Sequence, residues 1–275
     1  MALSSRILML FDNTNANYVS RLYSGASKQA ASSAIKVQME NVHGTDLKPE
    51  SLLDAPDIGG VILTAPLCDD RHVMLQVEKR GLPYARIASM LDPGRGITVI
   101  MDEFEAALQV TKVMLDAGHR RVGIIRGPRS HLASMRRYNG FAAALGTKGV
   151  KLDQSLVVEG DFTKASGAEA GAKLIANGPT AIFASNDSMA LGLSEAARSK
   201  GMSMPQQLSL VGFDDDPFAK TMNPPLTSIR QPLEEMGSTA YRMLADHMAG
   251  QRPAIAHAEV PFELVERASV APPAG

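Results

Sequence analysis

Short apolar runs alternate with helix-length segments along almost the whole chain, and this alternation constrains the fold more than any other feature. Predicted strands cover residues 6–11, 36–40, 60–63, 84–87, 98–101, 121–125, 156–158, 181–184 and 208–213. Predicted helices cover residues 18–33, 72–79, 103–117, 136–148, 166–176, 188–200 and 232–249. Strands this apolar need cover on both faces, which favours an α/β fold with parallel sheets between helices.

The strands are too numerous for one sheet of typical size, and the pattern begins again near Asp102. We therefore expect two similar parallel-sheet lobes. The first should contain residues 1–101 and about 232–258, and the second residues 102–231 and about 259–275. A strand over residues 259–264 should cross back between them. Helix ends are predicted at four glycines that supply the left-handed position after a helix, namely Gly118, Gly149, Gly178 and Gly201.

Composition excludes several classes of protein. Hydrophobic residues make up 45% of the 275 residues, yet no apolar run approaches the ~18 residues of a membrane helix. The first residues lack the pattern of a secretory signal, and the single Cys68 excludes an intrachain disulfide, so we expect a cytoplasmic protein. A net charge of −1 argues against DNA binding through the chain's own surface.

The familiar catalytic and cofactor motifs are missing. No dinucleotide turn, phosphate loop, nucleophile elbow or metal-spaced histidine pair occurs, so neither a cofactor nor a metal is predicted. His119, at a predicted helix end, has the ordinary interpretation of a cap. Asp215 and Asp216 are interpreted as a solvated loop, because the carboxylate spacing of a calcium loop is absent.

Polar side chains cluster at the strand-to-helix junctions of the second lobe. Asp214 follows the predicted strand 208–213, and Asn186 follows the strand 181–184. Arg137 and Phe162 lie near two further junctions. Each has an ordinary alternative, as a helix cap, a surface arginine or a core aromatic. Together, however, they share the edge of the sheet where open α/β folds bind ligands, which predicts a grip on a small polar molecule.

Seven sequence blocks carry a resemblance to a known family. They are Asp102 with the helix after it, 117–128 (AGHRRVGIIRGP), 137–141 (RYNGF), 160–162 (GDF) with 166–167 (SG), 179–192 (PTAIFASNDSMALG), 208–215 (LSLVGFDD) and 224–232 (PPLTSIRQP). In this order and spacing, residues from about 6 to 264 resemble the effector-binding core of LacI/GalR transcription regulators, which shares its fold with periplasmic sugar-binding proteins. The resemblance implies two lobes joined by three crossover strands, an effector in the cleft, and a homodimer.

The resemblance also implies an effector site, at Tyr18, Arg86, Ser89, His131, Arg137, Phe162, Asn186, Asp214 and Gln231. Asp214 and Arg137 resemble the main polar grips, with Asn186 as their partner. Phe162 resembles an aromatic wall, and Tyr18 matches an aromatic of the first lobe. Asp accepts hydrogen bonds from hydroxyls, Arg donates a planar fork, and an aromatic face packs on a sugar ring.

Four further residues complete the implied site. Gln231 resembles a crossover residue that faces the cleft, and His131 lies where the family often places a specificity side chain. Ala88 stands where several sugar-responsive relatives carry Asp, so that Arg86 or Ser89 would supply the polarity there. The favoured effector is a sugar or a similar small polyol.

The family's helix-turn-helix and hinge segment, expected before Arg6, has no counterpart in this sequence, so we expect operator DNA to be bound only through such a segment.

Two alternative functions remain. One is a periplasmic sugar-binding protein of a transport system. The other is a sugar-active enzyme that uses Asp214 with Asp187 or His131 as acid and base, but the spacing shows no such proton-transfer pair. We therefore expect no catalysis.

Overall fold

The structure, a computed structural model, describes residues 6–89, 91–92, 94–251 and 257–274. The chain forms two compact units. Unit 1 comprises Met1–Met101 and Pro232–Pro261, and unit 2 comprises Asp102–Gln231 and Phe262–Gly275. The last passage between units lies at 261/262, slightly later than the expected 258/259. The reason is that Val260 still donates a hydrogen bond to Ile100 O, at 2.8 Å, and so extends the sheet of unit 1.

Unit 1 contains a fully parallel sheet. Its elements are β1 (Arg6–Phe11), α1 (Ala16–Ala30), β2 (Lys36–Asn41), β3 (Ile58–Leu63), α2 (Arg71–Lys79), β4 (Tyr84–Ile87), β5 (Ile97–Ile100), α7 (Leu233–Met248) and β11 (His257–Glu259). The strand order is β11-β5-β4-β3-β1-β2, and every neighbouring pair is parallel. Thus α7 and β11, which come late in the chain, return to complete this unit.

Unit 2 repeats the plan with one antiparallel strand. Its elements are α3 (Glu103–Asp116), β6 (Val122–Arg126), α4 (Leu132–Thr147), β7 (Val157–Glu159), α5 (Lys164–Ala176), β8 (Ala181–Ala184), α6 (Asp187–Ser199), β9 (Ser209–Asp214), β10 (Thr227–Arg230) and β12 (Glu263–Val265). The order is β12-β10-β9-β8-β6-β7, and β12 runs antiparallel to β10. The predicted strand 259–264 is therefore wrong, since its residues divide between two short strands in different sheets.

The predicted class of fold, two α/β lobes with parallel sheets, is confirmed. So are the helix ends, because Gly118, Gly149, Gly178 and Gly201 all adopt positive φ values, between +65° and +102°. Several helices begin earlier than predicted, and the difference is largest for α4, which starts at Leu132 rather than at residue 136. The N-cap of α4 is His131, one of the residues expected in the effector site.

His119 is a buried cross-link rather than the helix-end cap expected from the sequence. Only 1% of it is exposed, and its Nε2 lies 2.8 Å from Ala271 O and its Nδ1 2.9 Å from Thr180 Oγ1. Because a carbonyl only accepts, Nε2 must carry the proton. Burial lowers the pKa of His119 and keeps the ring neutral. Within unit 2, the imidazole therefore joins the segment that contains Ala271 to the segment that contains Thr180.

Helices α5 and α6 pack at close range through glycines. A Cβ on Gly192 would lie 2.0 Å from the carbonyl oxygen of Lys164, and one on Gly167 would lie 2.3 Å from that of Met189. Side chains at these positions would have to push two helix backbones apart, so the close contact requires glycine.

We therefore expect Gly192→Ala to lower the free energy of unfolding by about 1–3 kcal/mol, because the helices must separate to admit a methyl group. Gly146, in α4, is the matched control, since a Cβ there meets nothing within 4 Å. Gly146→Ala should raise stability by roughly 0.5–1 kcal/mol through helix propensity. Urea denaturation followed by circular dichroism measures both. Equal effects of the two substitutions would contradict close packing of α5 on α6.

Candidate functional site

Asp214 ends β9 in an unusual turn. Its φ is +113° and that of Asp215 is +49°, so two consecutive residues other than glycine occupy the left-handed region, at about 1–3 kcal/mol each. The Asp215 carboxylate receives hydrogen bonds from Arg230 Nε at 2.8 Å and Arg267 Nη2 at 2.5 Å. These contacts offset the strain and hold the turn in place.

The expectation of a solvated loop at Asp215 and Asp216 is therefore wrong. The side chain of Asp215 is 8% exposed, and Asp216 as a whole is 3% exposed. The Asp216 backbone N–H donates to Asp187 Oδ2 at 2.8 Å, and the Asp215 backbone N–H donates to Ser228 Oγ at 3.2 Å. Arg230, Arg267 and Ser228 thus make the contacts that water was expected to make.

Arg137 lies on the buried face of α4 and is not a surface arginine. Its Nε and Nη2 donate to the two carboxylate oxygens of Glu103, at 2.6 and 3.3 Å, and its Nη1 donates to Ser185 O at 2.6 Å. The guanidinium carbon lies 3.7 Å from the centre of the Phe213 ring. The permanent charge of Arg137 is therefore compensated by α3, by β9 and by the turn between β8 and α6.

Asp214 and Gln231 join Arg137 in one polar cluster at the carboxyl edge of the unit 2 sheet. Gln231 Nε2 donates to Asp214 Oδ1 at 2.6 Å, and Arg137 Nη1 lies 3.9 Å from the same oxygen. Burial raises the pKa of Asp214 to about 7, although Arg137 acts in the opposite direction. Three of the residues expected in the effector site thus lie together.

Asp187 lies beneath this cluster. It is fully buried, and its carboxylate accepts hydrogen bonds from Ser228 Oγ at 2.7 Å and from the Asp216 backbone N–H at 2.8 Å. Burial, with Asp214 as a nearby charge, raises the pKa of Asp187 well above its usual range. Asp187 therefore organises the turn.

Asn186 and Phe162 form a second group on the same edge. Asn186 caps α6, because its Oδ1 accepts from the Met189 N–H at 2.9 Å, and its Nδ2 donates to Phe162 O at 2.9 Å. Phe162 has a φ of +68°, and its ring lies on the backbone of Gly127, where a Cβ would stand 2.1 Å from the ring. The His131 ring is centred 5.6 Å from the Phe162 ring. Asn186 is thus a cap as well as a candidate contact.

The candidate residues of unit 1 differ in their surroundings. Tyr18 is half-buried in the first turn of α1. Ser89 donates to Asp69 Oδ1 at 2.8 Å. Arg86 is completely buried, and its guanidinium donates to the backbone carbonyls of Leu91 and Asp92, at 2.9 and 2.8 Å. These contacts indicate that Arg86 supports the backbone at Leu91 and Asp92 rather than contacting an effector.

Glu103 is the functional candidate that sequence reasoning missed. It is the first residue of α3, directly after the N-cap Asp102, where an acidic side chain is favoured by the helix dipole. Nothing in the sequence distinguishes it from an ordinary surface charge, yet its side chain is only 2% exposed. Its partner Arg137 lies 34 residues further along the chain, beyond the reach of local patterns.

Neither a metal site nor a membrane-spanning helix occurs among the described residues. In ranges 6–89, 91–92, 94–251 and 257–274, no group of three or more His, Cys, Asp or Glu side chains could hold a metal ion. None of the helices in those ranges has the length and hydropathy of a membrane span.

Comparisons with known proteins match this geometry. A family model for the periplasmic binding protein-like domain matches residues 111–270. The regulator DegA of Bacillus subtilis, named as an HTH-type transcriptional regulator, is 32% identical over 225 residues, which cover 81% of this chain and 67% of DegA. The chain belongs to the LacI/GalR family. The HTH-type repressor PurR of Escherichia coli is 36% identical over 175 residues, 63% of this chain and 51% of PurR.

Solved structures of transcription regulators have the same fold. The regulator CelR in complex with cellobiose superposes with a TM-score of 0.89 at 26% identity, covering 96% of this chain and 84% of that one. A LacI-family regulator from Mycobacterium smegmatis gives 0.86 at 26% identity, covering 98% of this chain and 100% of that one. The chain therefore has the fold of a LacI/GalR effector-binding core and spans about half of PurR.

The raised pKa of Asp214 predicts a specific pH dependence. In the folded state the Asp214 carboxyl keeps its proton up to about pH 7, whereas the ordinary pKa of an aspartate is 3.8. Protonated Asp214 therefore contributes stability at low pH, and this contribution is lost as the pH rises from about 4 to 7. Asp214→Asn removes this loss. Its free energy of unfolding, relative to the unsubstituted protein, should rise by on the order of 3 kcal/mol between pH 4 and pH 7.

Urea denaturation at several pH values measures this difference. Asp153→Asn is the control, because hydrogen bonds from Ser155 lower the pKa of the exposed Asp153, so the effect of this substitution should stay nearly constant between pH 4 and pH 7 and change, with the opposite sign, at lower pH. A difference between Asp214→Asn and the unsubstituted protein that does not change with pH would show that Asp214 titrates normally.

Proposed function

We propose that this chain is the effector-binding and dimerisation domain of a bacterial LacI-type transcription regulator, that it senses a sugar or similar small polyol, and that it has no catalytic activity. The observation that carries the proposal is the cluster of Arg137, Asp214 and Gln231 at the carboxyl edge of the unit 2 sheet. These are buried donors and acceptors held in place by the fold, which is what recognition of a small polar molecule requires.

The chemistry of the cluster suits hydroxyl groups. The Asp214 carboxylate accepts hydrogen bonds from hydroxyls, and Arg137 and Gln231 donate to hydroxyl oxygens. The Phe162 ring, centred 5.6 Å from the His131 ring, provides an apolar face for the C–H side of a sugar. CelR was solved in complex with cellobiose, which supports a saccharide as the class of effector.

Control of DNA is the second part of the proposal. DegA is named as an HTH-type transcriptional regulator and PurR as an HTH-type transcriptional repressor, which supports DNA as a partner and the cytoplasm as the location. The net charge of −1 gives this chain no basic surface excess for duplex binding. We therefore assign operator contact to a helix-turn-helix segment joined to this domain and effector sensing to the residues of unit 2.

A substitution at the cluster tests effector binding. A sugar at 100 times its Kd should stabilise the domain by about 2.7 kcal/mol. A thermal-shift screen of mono- and disaccharides, including cellobiose, should therefore identify a sugar that binds. Asp214→Ala should then weaken binding of that sugar by roughly 2–4 kcal/mol in titration calorimetry, because it removes a buried acceptor from the ligand hydroxyls. Unchanged affinity in Asp214→Ala would remove this residue from the site.

Matched variants sharpen this test. Asp153→Ala removes an exposed carboxylate of the same unit and should leave sugar binding unchanged. Tyr18→Ala and Ser89→Ala test the expected contacts of unit 1, and Arg86→Met tests the structural role given to Arg86. If Arg86 only supports the loop, its substitution should lower the melting temperature and leave the affinity of the folded protein unchanged.

Dimerisation is assigned to the edge of unit 1. Strand β2 ends the sheet, and a groove of about 620 Å³ runs between it and α1, lined in part by Val19, Tyr23 and Met39. Met39 is 40% exposed and contributes apolar surface to this groove. Within the sheet that the described residues form, β2 is an edge strand, and such an edge beside an apolar groove suits a second copy of the chain, related by a two-fold axis.

We expect a homodimer that Met39→Glu converts to a monomer of 29.3 kDa, because the carboxylate would be buried at the interface. Multi-angle light scattering at micromolar concentration measures the mass. Leu75→Glu is the matched control, since Leu75 is 46% exposed on α2, outside the groove, and this variant should remain dimeric. A monomeric unsubstituted chain would contradict this assignment.

A further inference from the structure

We propose that Glu103 is a specificity residue, which occupies the guanidinium fork of Arg137 and thereby restricts the effector site to uncharged or cationic molecules. Sugar acids, sugar phosphates and other anions are excluded. The inference rests on the proposed function for the location of the site, and it adds the charge class of the effector.

The first argument is geometric. An arginine recognises a carboxylate or phosphate best through two parallel N–H groups. In Arg137, the edge formed by Nε and Nη2 already holds both oxygens of Glu103, and Nη1 donates to Ser185 O. The same Nη1 lies 3.9 Å from Asp214 Oδ1. An anion arriving at Arg137 would therefore have to displace Glu103 before it could form the bidentate pair.

The second argument is electrostatic. Arg137 and Glu103 are 7% and 2% exposed at the side chain, so solvent screens this ion pair weakly. The pair is neutral, and Asp214 adds negative charge beside it whenever it is ionised. An anionic group would gain little net attraction at this point and would meet repulsion from both carboxylates. A hydroxyl or an ammonium group meets no such repulsion.

The third argument concerns what holds Glu103 in place. It is the first residue of α3, a helix capped by Asp102, whose Oδ1 accepts from the backbone N–H groups of Phe104 and Glu105 at 3.0 and 3.1 Å. Gly140 of α4 fits closely against Phe104, since a Cβ there would lie 2.2 Å from the Phe104 carbonyl oxygen. The two helices thus fix Glu103 against Arg137, and an incoming anion cannot displace it at low cost.

Inorganic phosphate is the probe, because it tests the fork of Arg137 without knowledge of the effector. Glu103→Gln keeps the size of the side chain but removes its charge, and its amide can accept only one of the two Arg137 hydrogen bonds. We expect this variant to bind phosphate at least about tenfold more tightly than the unsubstituted protein, in calorimetric titrations at constant ionic strength.

Two controls locate the effect. Glu105→Gln removes the same charge from the same turn of α3, where the side chain accepts from Gln109 Nε2 instead of Arg137, and it should gain no phosphate affinity. Glu103→Gln combined with Arg137→Gln should abolish the gain. This double variant also separates Arg137 from Arg126, the other buried arginine of unit 2, which lies over the Tyr138 ring at 4.9 Å.

The outcomes are decisive in both directions. A gain in Glu103→Gln that is missing from Glu105→Gln and from the double variant supports the proposal. It is overturned if the unsubstituted protein binds phosphate as tightly as Glu103→Gln does, if a folded Glu103→Gln gains nothing, or if the two single variants gain equally. Far-ultraviolet circular dichroism and a cooperative melt establish that each variant is folded.

A second measurement uses the unsubstituted protein and does not depend on the folding of any variant. Glucose, glucosamine and gluconate have related skeletons and differ in charge. Gluconate should bind at least about tenfold more weakly than whichever of the other two binds more tightly, and tighter binding of gluconate than of glucose would overturn the proposal. Failure of every sugar in the wider screen would count against the proposed function, while the phosphate comparison would still decide the role of Glu103.

Discussion

The buried charge of Arg137 is the interaction on which the site of this LacI/GalR domain depends. A guanidinium stays protonated inside a protein, so its positive charge must be balanced by the groups that surround it. Glu103 comes from α3, Ser185 O follows β8, and Phe213 and Asp214 come from β9. Removing one partner would leave a buried charge uncompensated, which ties these elements together more strongly than the net strength of any one pair suggests.

The parts of the site that could not be predicted from the sequence are also buried charges, and their partners lie far away in the chain. Asp214 and Arg137 could be expected from their places at strand and helix ends and from the family resemblance. Glu103 could not, because acidic residues are common in first helical turns. Asp215 looked solvated because its partner Arg267 lies 52 residues away, and only the fold brings the two side chains to 2.5 Å. Long-range ion pairs leave no local trace in a sequence.

The fold was more predictable than the site because its signals are local. Apolar runs bounded by turn residues identified β1, β4 and β8 with the bounds that the structure shows, and glycines marked the helix ends. The failures are equally physical. Strands β11 and β12 have three residues each, too few for a periodicity, and Pro261 lies between them. A single predicted strand over 259–264 merged two strands that belong to different sheets.

The order of the strands has a consequence for synthesis on the ribosome. Each sheet receives an edge strand from the segment that follows β10, with β11 pairing with β5 and β12 with β10. Residues 102–231 also separate the two parts of unit 1. A nascent chain that has completed β10 therefore carries two unfinished sheets, each with an open edge of the kind that pairs with other chains. Neither sheet can be completed before residues 257–265 have been made, so protection of these edges falls to the segment that follows β10.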